Sequence, residues 1–352
     1  MRKLGNPFGK SIITWGLFPM LFIAICNCAP YRYLSIETLN PADITFPVDM
    51  RRVLVVNNAL PQNEVPFEST KHKLIEPLTI SADSAAYDFC RTLGETLADF
   101  RGFDEVRLLE GSLRIDQSLL TAPKLTRDDV DLLCNEHESD IVISLDLLLF
   151  RVEEYANIIF GYQTQEYLNV ETSGVLRVYA QGRETPMTTI LLADTIIFDI
   201  WFDQNGEDIW DFLSSDNQTN LLRESAIYLA YKARKHFIPY WDEDIRWYYT
   251  SFETRWKEAT AYAEAEKWDM ALEIWREIYE QTSSWKKQAR LCSNIALGLE
   301  MTGNFEQALQ YAKKSNQLMQ DHQRDDDKQE VYVNVLTNRI TEEQKLRLQH
   351  LP

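Results

Sequence analysis

The sequence predicts an α+β protein. A small N-terminal α/β sandwich with a mixed sheet should be followed by an all-α region of helical hairpins. Three observations carry this expectation. Apolar, β-branched runs at Arg52–Asn58 and Asp140–Phe150 flank segments whose apolar residues recur at three and four, so strand and helix periods alternate. From Asn217 the pattern turns helical. Residues 255–320 then hold an internal repeat. The expected layout is a leader over 1–27, a tether and edge strand over 28–48, an α/β domain over 49–213 and a helical domain over 217–352, with its repeats at about 250–320.

The leader is the most specific signal. Arg2, Lys3 and Lys10 precede an apolar run from Ile12 to Ile25 that ends in Cys26-Asn27-Cys28-Ala29-Pro30. That order is a secretory signal closing on a cysteine, and the run falls short of the roughly 20 apolar residues a spanning helix needs. It resembles a bacterial lipobox, with an aliphatic residue three before the cysteine and small residues between. Ile25-Cys26-Asn27 favours Cys28 as the lipidated residue; Cys26, preceded by bulky Ile25, is the alternative. The two or three acyl chains implied suffice for a stable anchor. The expected location is the cell envelope, lipid-anchored to the outer membrane and facing the periplasm, since no acidic cluster follows the cysteine.

Ala29–Leu34 reads as a tether and Ser35–Ala42 as an edge strand. Arg52-Val53-Leu54-Val55-Val56 reads as a buried central strand, ended by Asn57-Asn58. A helix follows from Ser81 to about Phe100, with Ala85, Phe89, Leu93 and Leu97 on one face and Gly102 as its stop. Phe103–Leu109 is a second strand. Thr126 caps a second helix whose first turn holds Asp128 and Asp129. Asp140–Phe150 is a third strand, and two antiparallel strands follow near 174–180 and 188–202, joined by a hairpin loop at Gln181–Pro186. This layout resembles the small α/β domain of periplasmic lipoproteins such as the TolB N-terminal domain family and the Lpo-type synthase activators.

Leu221–Phe237 is an amphipathic helix stopped by Pro239. Tyr240–Tyr249 packs five aromatics into ten residues and reads as the joint between the two halves. In the repeat, Trp256, Ala259, Tyr262, Trp268, Ala271 and Trp275 are echoed by Ala296, Gly303, Phe305, Ala308 and Ala312. Gly303-Asn304-Phe305-Glu306-Gln307-Ala308-Leu309 resembles the turn and second-helix start of a tetratricopeptide unit; Glu266 stands where the first unit would carry the glycine. Alanines let paired helices approach, and stacked hairpins share a continuous core. A final helix over Gln329–Gln349 should cap them, after a solvated charged loop at Asp321–Asp327.

The formal charge is −18; without the three basic residues of the leader it is −21, from 33 basic and 54 acidic residues. That excludes nucleic acid and argues against headgroup contact through the protein surface. Cys90, Cys134 and Cys292 form no C-x-x-C pair and read as buried free thiols in preference to a Cys90–Cys134 bridge. The five histidines are scattered, Asp203–Asp208 reads as a turn, and no nucleophile elbow, phosphate loop or dinucleotide fingerprint is present. A non-enzymatic protein without cofactor or metal is expected.

Cys28–Tyr33, Pro41-Ala42, Ile238–Tyr249 and the repeats together resemble a family of uncharacterised Bacteroidota lipoproteins with C-terminal tetratricopeptide-like helices. The resemblance itself implies little function; the repeats and the anchor lead to the expectation of a lipid-anchored interaction or scaffold module, its partner a protein or peptide of the envelope. First-helix residues of such repeats line the groove: Trp256, Thr260, Ala263 and Glu264 in one unit, Ser293, Leu297, Glu300 and Met301 in the other. Lys at Glu264 and Glu300 is expected to weaken partner binding without unfolding the chain. The alternative is a small-ligand or glycan-binding lipoprotein that uses a cleft of the α/β domain.

Overall fold

The computed structural model describes residues 31–62, 64–69, 78–79, 83–114, 122–159, 163–200, 215–324 and 327–349. The leader, Cys26, Cys28 and the Asp203–Asp208 turn lie outside the described residues. In chain order the elements are β1 (Tyr31–Asn40), β2 (Arg52–Asn57), β3 (Glu64–Val65), β4 (Phe67–Ser69), β5 (Leu78–Thr79), α1 (Asp83–Ala98), β6 (Glu105–Ser112), α2 (Arg127–His137), β7 (Ile141–Ile159), β8 (Gln163–Ala180) and β9 (Thr188–Ile200). Then come α3 (Ser215–Ala233), a single 3-10 turn, β10 (Tyr240–Tyr249), α4 (Thr254–Glu264), α5 (Trp268–Gln281), α6 (Trp285–Met301), α7 (Phe305–Asp321) and α8 (Asp327–Leu348). The class is as predicted: an α/β region on a mixed sheet, then a region of helices.

Two compact units emerge. Of the described residues, one holds those of 35–244 with 331–349; the other holds those of 245–330 with 31–34. In the first, the sheet runs β6-β2-β7-β8-β9, with β4 also paired to β7. β6, β2 and β7 are parallel, while β7, β8 and β9 are antiparallel. Alternation along β2 sorts the core. Val53 and Val55 face a cluster with Phe89, Leu93 and Leu97 of α1 and Leu222, Ala226 and Leu229 of α3. Leu54 and Val56 face Val130, Leu133 and Cys134 of α2. A strand covered on both faces needs no polar alternation, which is why β2 reads as a continuous apolar run. α3 belongs to this core, so the expected boundary at 217 falls inside a helix of the α/β unit. Its apolar stripe finds its partner on the sheet.

α2 begins as expected. Thr126 Oγ1 accepts from Asp129 N at 3.2 Å, and Asp129 Oδ2 accepts from Thr126 N at 3.0 Å, a reciprocal capping box. Cys90, Cys134 and Cys292 are buried free thiols. Cys90 and Cys134 sit in the clusters on opposite faces of the sheet, so no bridge joins them.

In the second unit α4–α5 and α6–α7 form helical hairpins. Ala259, Ala271, Ala289, Ala296, Ala308 and Ala312 are fully buried, as close helix approach requires. A Cβ on Gly298 of α6 would come within 2.6 Å of the Leu272 side chain of α5. One expectation is corrected at the edge of this unit: Tyr31–Leu34 is no tether but the start of β1. Tyr240–Tyr249, expected as the joint between the two halves, does contain the boundary between the units, after Asp244, and it is a strand that pairs with β1 in a two-stranded sheet. Its aromatic side chains hide the strand period, because several are buried at the β10 end while Trp241 is exposed.

Candidate functional site

The residues expected to line a repeat groove are largely occupied by the chain itself. Asn294 of α6 treats Tyr249 of β10 as a neighbouring strand would. Its Oδ1 accepts from Tyr249 N at 2.7 Å, and its Nδ2 donates to Tyr249 O at 2.8 Å. Trp256 is buried and spends its Nε1–H on that same carbonyl, at 2.8 Å. Arg246 of β10 lies against Glu300 with Nε and Nη2 at 3.0 and 2.9 Å from Oε1, both side chains about 95% buried. Gln329 Nε2 donates to Tyr249 Oη and to buried Ser293 Oγ. Leu297 is fully buried.

Glu264 is half exposed but accepts from Tyr248 Oη at 3.2 Å and pairs with Arg32 of β1. Thr260 and Met301 are partly exposed. Of the eight groove residues, Trp256, Ala263, Ser293, Leu297 and Glu300 are buried and therefore present nothing to a foreign peptide. The expectation that Glu300→Lys leaves the chain folded does not fit this burial. The substitution would set two cations together in a buried site.

An open concavity lies in the α/β unit. α1, between β2 and β6, covers one face of the sheet, and α2, between β6 and β7, covers the other. That change of face leaves a crevice at the carboxyl ends of the parallel strands. Here it is a cleft of about 410 Å³, lined by Asn58 after β2, Leu113 and Arg114 after β6, and Leu125 and Leu132 around the start of α2. Lys124 stands exposed at its rim.

Beneath it the sheet carries a buried polar cluster. A bulge falls between Leu145 and Leu147 of β7 at Asp146, which is fully buried. Asp146 Oδ1 accepts from Asn58 Nδ2 at 2.9 Å and from Ser144 Oγ at 2.5 Å, while Oδ2 meets Arg177 of β8. Arg177 Nη1 also donates to Ala122 O at 2.7 Å, and Tyr179 Oη accepts from Leu125 N at 3.1 Å. Asn58 thus joins the cleft wall to a compensated buried carboxylate. Arg177 Nε is buried and finds no acceptor among the described residues. Burial, first of all, raises the Tyr179 phenol above its usual range.

None of these residues was singled out in the sequence. The one available signal is Asn57-Asn58 directly after a β-branched strand, at the place where α/β sheets bind ligands. Among the described residues the lining mixes Leu113, Leu125, Leu132 and Leu133 with Asn58, Arg114, Lys124 and Asp129, and holds no aromatic ring.

Residues 50–249 match a family described as Domain of unknown function (DUF8603). Residues 257–338 match another, Domain of unknown function (DUF6340). No curated protein matches the chain. Among solved structures, a neuraminyllactose-binding hemagglutinin homolog from Helicobacter pylori is similar, at 12% identity and a TM-score of 0.24, over 55% of this chain and 88% of that one. A likeness of that score carries no argument about ligand.

Proposed function

For a chain that belongs to the family described as domain of unknown function DUF8603, we propose a non-enzymatic binding protein of the cell envelope. It is lipid-anchored through Cys28 and periplasm-facing, and it takes a small ligand in the cleft between β2, β6 and α2. The observation that carries this reading is a contrast between two concave surfaces. The helical groove is filled by β10, whereas the cleft is open at a place where α/β sheets bind ligands. Aliphatic walls from Leu113, Leu125 and Leu132, with Lys124 at the rim, suit a ligand with an apolar body and one anionic group.

The test is a thermal-shift screen of the soluble chain, residue 28 onward with Cys28→Ser, against short-chain acids, their amides and neutral sugars. The expected result is a shift for acids that Leu125→Trp, which fills the cleft, removes. Shifts for none of these, or shifts that survive Leu125→Trp, would reject the cleft. A second reading, docking of a protein partner on the hairpins, keeps the partly exposed Thr260 and Met301 as contacts. It predicts that Thr260→Arg with Met301→Arg abolishes a cross-link to an envelope protein that Leu125→Trp leaves intact.

A further inference from the structure

The start of β1 is fixed to the helical unit by a set of specific contacts. Lys328 of α8 places its Nζ 3.5 Å from the Tyr31 ring centroid and donates to Tyr33 Oη at 2.8 Å. Tyr31 packs edge-on against Tyr33 and Tyr249, and Arg32 pairs with Glu264. Three steps of the chain lead from Cys28 to Tyr31. Even fully extended they reach about 10 Å. An acyl group on Cys28 therefore cannot sit far from this corner. Phe252, the most exposed of the large apolar side chains among the described residues at 87%, follows Tyr249 by the same three steps, and Lys257 Nζ lies 5.8 Å from its ring centroid.

Charge points the same way. The helical unit, residues 31–34 with 245–330, carries 13 basic and 15 acidic residues, a net of −2. The rest of the chain after the leader carries 20 and 39, a net of −19. The acidity that argues against headgroup contact for the chain as a whole thus lies almost entirely outside the helical unit. An anionic bilayer repels one unit strongly and the other hardly at all.

We propose that this corner of the helical unit is a membrane-facing surface seated on the phospholipid bilayer, with Tyr33 and Phe252 at the interface and Lys257 and Lys328 among the headgroups, while Arg32, which alternates with Tyr31 and Tyr33 along β1, turns away toward Glu264. Aromatic rings flanked by cations are the side chains that settle at such an interface. The inference rests on the lipid anchor proposed above for Cys28.

The experiment uses the full lipidated chain in vesicles of phosphatidylethanolamine with a minority of phosphatidylglycerol. An environment-sensitive fluorophore is attached at Phe252→Cys or, separately, at Ala265→Cys. The other thiols after the leader are buried and do not compete. The two sites stand at opposite ends of α4, an 11-residue helix of about 16 Å. Nitroxide lipids are expected to quench the label at 252 several-fold more than the label at 265. Equal quenching, or none at either site, overturns the orientation. The mass of the Cys28 peptide separates the two possible failures. An acylated Cys28 with an aqueous label at 252 leaves the anchor standing and rejects the surface, whereas an unacylated Cys28 rejects both.

Discussion

Arg246 and Glu300 show how one pair of side chains decides the use of a whole surface. Both are buried, and each compensates the other's charge. Removing one partner of such a pair costs about 3–5 kcal/mol, whereas replacing both with apolar residues of similar size is often neutral. Glu300→Ala is therefore expected to lower unfolding stability by about 3–5 kcal/mol, and Arg246→Met with Glu300→Leu to recover most of it. Chemical denaturation of the three proteins checks this, and a Glu300→Ala of near wild-type stability would sink it. The neighbouring Asn294 satisfies both backbone groups of Tyr249. Asn294→Leu fits the same space but strands a buried N–H, so a loss of about 1–3 kcal/mol by the same assay is expected.

Among the elements, α5 and α6 depend on Gly298. A methyl there would meet Leu272 at Cγ and Cδ2, within 2.7 Å, and Leu272 is itself buried. Alanine gains up to about 1 kcal/mol in helix propensity. Overpacking a closed core costs about 1–3 kcal/mol, so Gly298→Ala should come out destabilised, with a lower thermal midpoint; a raised midpoint would show that the hairpin yields. Elements with a clear period were legible in the sequence: β2 as an apolar run, α1 by its stripe, α2 by Thr126 and its acids, and the hairpins by their alanines and tryptophans. β1 and β10 were not. Their partners lie about 200 residues apart in sequence, and in Tyr240–Tyr249 aromatics fall on both faces of the strand. The filled groove was invisible for the same reason, since nothing local in Ser293, Leu297 or Glu300 says that Arg246 and Tyr249 will arrive there. The cleft was half legible, because Asn57-Asn58 marks the end of β2, but Asp146 and Arg177 meet only once β7 and β8 pair.

At the scale of the molecule, acid should act through a few held carboxylates against a background of general repulsion. Burial pushes the Asp88 carboxyl up, but hydrogen bonds from Arg223 and Arg91 outweigh it and hold it below the usual range. A hydrogen bond from Arg52 is the first cause of the same direction at Asp140. At Asp194 the bond from Lys232 wins over burial. A carboxylate whose pKa is lowered in the folded state contributes stability above its unfolded value, about 3.9, and that stability is lost as pH falls through the folded value. The opposing effect is relief of the −18 charge as acids protonate toward the sequence pI near 4.8. In about 0.15 M salt that repulsion is screened beyond some 8 Å, whereas Asp88 is buried between α1 and α3 and screened far less. Stability is therefore expected to hold or rise slightly from pH 7 to 5, then fall steeply below about pH 4. Asp88→Asn should start lower at pH 7 and fall less between pH 4.5 and 2.5, because one of the groups that must protonate is gone. Urea midpoints for both proteins across that range decide it: parallel curves would mean that Asp88 is not among the groups that acid releases.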